Sequence, residues 1–122
     1  MKKITILFSL FICLITMRAK AQTEQPKILV DNDKVKVTQY YSLPGEGVCG
    51  KGKHSHPAHL TVLLTDADVT ITGADGKTIT QKAPAGTSFW SEAETHEVIN
   101  SGKLPMKVLI IETKKLKALP TP

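Results

Sequence analysis

Beyond residue 27 the chain contains no stretch with a helical repeat of apolar residues. Its apolar segments are short, β-branched and alternating. Val35, Val37 and Gln39 alternate with Lys36, Thr38 and Tyr40, as on a strand with two unlike faces. Similar segments are expected at 28–30, 59–65, 69–72, 78–82, 87–90, 97–100 and 107–113. Turn chemistry separates them. Four glycines crowd residues 44–52, and Gly73-Ala74-Asp75-Gly76 ends in the Asp-Gly pair that tight hairpins favour. Ala83-Pro84-Ala85-Gly86 and Ser101-Gly102-Lys103-Leu104-Pro105 mark two more connections. About eight short strands in roughly a hundred residues require an all-β sandwich or barrel.

The first 21 residues read as an export signal rather than as part of this fold. Met1-Lys2-Lys3 is basic, residues 4–17 are apolar apart from Thr5, Ser9 and Thr16, and Ala19-Lys20-Ala21 offers a cleavage site before Gln22. The apolar run is short for a membrane span. Residues 22–27 are expected to be a flexible leader, 28–114 the domain and 115–122 a loose tail. The protein is expected in the periplasm or outside the cell, with no membrane attachment after cleavage. Lys2, Lys3, Arg18 and Lys20 leave with the signal, so the formal net charge falls from +5 to +1, with 12 basic against 11 acidic residues. The basic balance therefore belongs to the export signal, and no basic stripe with aromatics remains to bind nucleic acid. Cys49 is the single cysteine beyond the leader, so a disulfide framework is excluded. It is read as a plain free thiol in a glycine-rich loop. The alternative is a thiolate ligand or redox group at a site mouth.

All four histidines lie in two stretches, His54-Ser55-His56-Pro57-Ala58-His59 and Thr95-His96-Glu97-Val98-Ile99-Asn100. Residues 54 and 56, two apart on a strand, point to one face, and His96 from a distant strand can complete a facial set of imidazoles. A fourth ligand is open. His59 would turn inward if Pro57 marks a bulge; otherwise Leu60, Val62 and Leu64 face the core and His59 faces out. Glu92 and Glu94 could reach back as ligands or transfer protons, or could be solvated loop acids. Asn100 is read as a turn anchor. Phe89 and Trp90 alternate, so one faces in and the other out.

The spacing resembles the cupin superfamily, specifically small single-domain exported cupins, over nearly all of the chain after the leader. His54-Ser55-His56 matches the paired histidines of the first cupin motif. Gly86, His96 and Asn100 match the frame of the second. The motif glutamate would fall at Leu60 or Thr61, Glu92-Ala93-Glu94 replaces a Pro-x-Gly turn, and the first motif's glycine is Ala67 or Asp68.

This resemblance implies a single-domain jelly-roll β-barrel that pairs as a homodimer. It also implies a divalent metal, Fe, Zn, Mn, Ni or Cu, held by His54, His56 and His96. Open metal positions would take a small molecule in a dioxygenase-like or a lyase- or isomerase-like reaction. The alternative is a module that binds metal or a small molecule without turnover. No nucleophile elbow, phosphate loop or dinucleotide fingerprint accompanies these residues.

Overall fold

The computed structural model describes residues 24–115, so the expected signal and most of the expected tail lie outside it. The described residues form strands and turns, with no helix. The strands are β1 (Lys27–Asp31), β2 (Val35–Ser42), β3 (His54–His56), β4 (His59–Leu63), β5 (Ala67–Gly73), β6 (Thr78–Ala83), β7 (Ser88–Ser91), β8 (Glu94–Asn100) and β9 (Met106–Thr113). They pair antiparallel in two sheets, β1-β2-β9-β4-β7 and β3-β8-β5-β6, in a jelly-roll arrangement that is open between β6 and β7.

The alternation read from sequence becomes the core. Met106, Val108 and Ile110 of β9 are buried, facing Val69 of β5 and Val98 of β8 across the two sheets. The Asp75-Gly76 hairpin joins β5 to β6. Gly76 has φ 80°, and Gly73 N–H donates to the Lys77 carbonyl at 2.9 Å. Asn100 is the turn anchor expected: its amide nitrogen donates to the Ser42 and Leu104 carbonyls at 3.3 and 2.9 Å, and its oxygen accepts from Gly102 N–H at 3.1 Å.

Three differences from the sequence reading go beyond a shift of one or two residues at a strand end or bear on the site. β1 begins at Lys27, inside the expected leader, and β8 begins at Glu94 rather than 97. The third concerns Pro57. Instead of a bulge within one strand, the chain leaves β3 of the four-stranded sheet and enters β4 of the five-stranded sheet. The crossing resets the alternation. His59, Thr61 and Leu63 face inward, while Leu60 and Val62 face outward. There they join a row that runs Val37, Ile111, Leu60, Trp90 across four strands. The five-stranded sheet is thus apolar on both faces.

Candidate metal centre

β3 pairs with β8 so that His54 lies directly opposite His96 and His56 opposite Glu94. Facing positions on neighbouring strands bring side chains together. Ser55 lies between the two histidines on the other face, exposed, with Oγ 2.7 Å from Thr95 Oγ1. The ring centroids of His54 and His56 are 4.6 Å apart, those of His54 and His96 5.1 Å, and those of His56 and His96 5.5 Å.

Cys49 closes the group. Rather than a plain thiol in an open loop, it is buried at 6% exposure. The loop that carries it is stitched to β8. Gly45 N–H donates to the Asn100 carbonyl at 2.8 Å, Asn100 N–H to Glu46 at 2.9 Å, and Val48 N–H to Val98 at 2.8 Å. Cys49 Sγ then lies 3.4 Å from His54 Nε2 and 3.6 Å from His96 Nε2. One ligand atom from each of Cys49, His54, His56 and His96 lies within 4.8 Å of the other three. A tetrahedral ion with bonds of about 2.3 Å to sulfur and 2.05 Å to nitrogen separates those donors by about 3.6 Å. The spacing fits.

The surroundings fit as well. His54 Nδ1 donates to the Gly52 carbonyl at 2.8 Å, which leaves Nε2 with a free lone pair facing Cys49. His96 Nδ1 lies 3.2 Å from Glu94 Oε1, again leaving Nε2 for the cluster. Carbonyl and carboxylate partners on the far ring nitrogen are the usual way a protein orients metal-binding imidazoles. His56 Nε2 is buried with no hydrogen-bond partner, a costly state that a metal would relieve. Gly50 is required by the same packing: a Cβ there would lie 2.9 Å from His54 Nδ1.

Glu94 is therefore brought to the cluster as the residue that positions His96. Glu92 is not brought there; it accepts from the exposed Trp90 Nε1 at 2.9 Å. His59 faces inward at 2% exposure, with Nδ1 donating to the Pro57 carbonyl at 2.8 Å. Its ring lies 5.1 Å from that of His56, beside the four-residue group rather than within it. The sequence places Cys49 in an open glycine-rich loop, whereas the structure buries it beside the histidines. The available signal was its place five residues before His54 in a loop whose glycines allow close approach.

Burial pushes the His56 imidazole down to about 4, aided by the neighbouring histidines. Burial also lowers His96, opposed by the Glu94 carboxylate. Burial pushes the Cys49 thiol up to about 12, with the Glu94 charge adding to it. Without metal, the folded state thus keeps His56 neutral and Cys49 protonated at neutral pH. Acidification below 6.5 protonates the unfolded His56 first and destabilises the fold down to about pH 4, by at most about 3 kcal/mol. Above about 9 the unfolded thiol ionises first, and stability falls again. Thermal melts of the chelator-treated protein are expected to plateau between about pH 6.5 and 9. A Tm still rising steadily from pH 7 to 5 would contradict this.

Cys49 and His96 of the cluster form part of the wall of a cavity of about 320 Å³ between the sheets, lined also by His59, Glu94 and core residues of β5, β8 and β9, while His54 and His56 stand behind that wall. A larger, more open groove of about 790 Å³ at the Asn100 end of β8 contains none of the four histidines.

No family model matches the chain, and a search of curated proteins finds no match. Solved structures do match. A cupin domain from Bordetella pertussis Tohama I is 27% identical, with a TM-score of 0.67, covering 76% of this chain and 95% of that one. A protein with a double-stranded β-helix domain from Klebsiella pneumoniae has a TM-score of 0.60 at 16% identity, covering 83% and 84%. An RmlC-like cupin from Methanocaldococcus jannaschii gives 0.60 at 14% identity, covering 80% and 85%.

Proposed function

Since the chain belongs to the cupin superfamily, we propose that it holds one divalent transition-metal ion through His54, His56, His96 and Cys49 and presents it to a small molecule in the barrel cavity. The observation that carries this reading is the convergence of Cys49 Sγ with two imidazole Nε2 atoms whose Nδ1 atoms are already occupied. A bound ion would supply Lewis acidity at the cavity wall. His54 and His56 fix two ligand directions from one strand, and Glu94 fixes the ring of His96. His59 keeps Nε2 available beside the site to accept or return a ligand proton.

The donor set favours Zn, Co, Ni or Cu over the harder Mn, because a thiolate and neutral imidazoles are soft to borderline donors. A second reading, metal binding without turnover, is favoured by one observation: the four donors together can fill a tetrahedral shell.

Elemental analysis of protein purified without a metal-affinity tag tests the site. The parent is expected to carry close to one equivalent, and the His54→Ala/His56→Ala double variant close to none. Equal metal content in both rejects the proposal. Glu94→Gln keeps the shape of the side chain but weakens the contact that orients His96. It is expected to lower metal affinity roughly 10- to 100-fold. Unchanged affinity would remove Glu94 from the site.

A further inference from the structure

The lining of the cavity is selective in its chemistry. Val69, Ile71, Val98, Met106, Val108 and Ile110 make one continuous apolar part of its wall, and its polar lining is mostly uncharged: Thr61, Gln81, Thr87 and Ser91. No lysine or arginine lines it, and Glu94 is its single acidic residue. The two lysines that adjoin lining residues in sequence stand on the opposite faces of their strands: Lys82 of β6 pairs with Asp68 at 3.1 Å, and Lys107 of β9 lies over the Tyr41 ring. An anion entering this space would meet no protein cation, and the Glu94 carboxylate would oppose it.

The way in also carries large apolar side chains. β6 and β7 are each an edge strand of its sheet, and the barrel is open between them. Ile79 of β6 is 59% exposed and Phe89 of β7 is 48% exposed, yet both also line the cavity. Large apolar side chains held half in water at the lip of a cavity are costly for the free protein, and an apolar ligand would cover them. The same strand alternation that turns Phe89 in turns Trp90 out.

Resting on the metal site proposed above, we propose that the cavity binds a compact, uncharged molecule with a largely apolar body and a single metal-binding head group. At interior packing density the cavity holds about 240 Å³ of ligand atoms, room for a small ring system rather than a nucleotide or a sugar chain. The head group meets the metal at the Cys49–His96 end. The apolar body lies along Val69, Val98 and Val108 towards the lip at Ile79 and Phe89. Phosphates, dicarboxylates and other polyanions are disfavoured, because the proposed ion can pair with one head group and no lysine or arginine along the wall compensates a further charge.

Three hydroxamic acids with one common head group test this on cobalt-loaded protein whose metal content has first been confirmed. Benzohydroxamic acid adds an apolar ring, acetohydroxamic acid lacks it, and 4-carboxybenzohydroxamic acid adds a charge to it. Perturbation of the Co(II) visible spectrum reports binding. Benzohydroxamic acid is expected to bind at least tenfold more tightly than either of the others, because only it gains burial without an unpaired charge. In Phe89→Lys, at the exposed lip, the preference between the benzo- and carboxybenzo- compounds is expected to narrow or reverse. Metal bound with equal affinity for all three compounds, or with tightest binding of the carboxylate, overturns the inference while leaving the metal site intact. Failure to load cobalt overturns the metal site, and this inference with it.

Discussion

Cys49→Ala is expected to weaken zinc binding by at least about a hundredfold, or about 2.8 kcal/mol. Loss of a partner behind a ligand already costs 10- to 100-fold, and Cys49 is placed as a ligand itself. Its sulfur lies within 3.4 and 3.6 Å of two imidazole nitrogens. Besides the magnitude there is a diagnostic pH dependence. The metal-free thiol is held protonated, at about 12, so zinc must displace one proton to bind sulfur. Apparent affinity of the parent should rise about tenfold per pH unit through the neutral range, and that slope should be absent in Cys49→Ala. Competition against a chromophoric chelator at several pH values measures both. Affinities within threefold of each other, or equal slopes, would leave sulfur out of the shell.

Gly47→Ala should be more damaging than its position in an exposed-looking loop suggests. A Cβ at residue 47 would sit 1.9 Å from the Gly50 carbonyl oxygen, and that atom belongs to the backbone. No side-chain rotation relieves such a contact; the turn carrying Cys49 must be rebuilt. Gly47 also bridges to Ile99 of β8, so rebuilding breaks the seam that holds the loop. The expected loss of stability is about 3 kcal/mol or more, with metal affinity falling alongside. Gly45→Ala is the matched control. It has open space around its Cβ and suffers only from φ 84°, a strain of about 1 kcal/mol. Chemical denaturation of the two variants should separate them clearly. Equal losses would mean that the turn has room to adjust.

Much of this site could be read from spacing, and the parts that could not have physical reasons. His54 and His56 share a face because strands have a period of two, and no longer-range information is needed. The inward turn of His59 depended on what happens at Pro57. One residue of slippage inverts a strand, and a chain crossing between sheets resets parity where a bulge would merely shift it. The same limit applies to Glu92 and Glu94. Both share the parity of His96, but Glu92 belongs to the connection between the sheets, and only from Glu94 does β8 impose its alternation. Cys49 was hardest, because loop residues have no period. Its placement follows from backbone bonds between Gly45, Glu46, Val48 and β8 that no local pattern announces. The fold was legible because turn residues and alternation agree along the whole domain; for the site, agreement ended at each loop.

The four donors share an anchorage. His54 and His56 belong to β3 and His96 to β8, neighbouring strands of the four-stranded sheet, and Cys49 hangs from β8 through its loop. None comes from the five-stranded sheet. An ion seated among them would clasp a loop to one sheet without riveting the two sheets together. Sheet-to-sheet cohesion rests instead on Met106, Val108, Ile110 and their partners across the core. The barrel is therefore built to survive an empty site. An ion bound there would be acquired and released by loosening the Cys49 clasp alone, in the life of the folded protein rather than as a step in its folding.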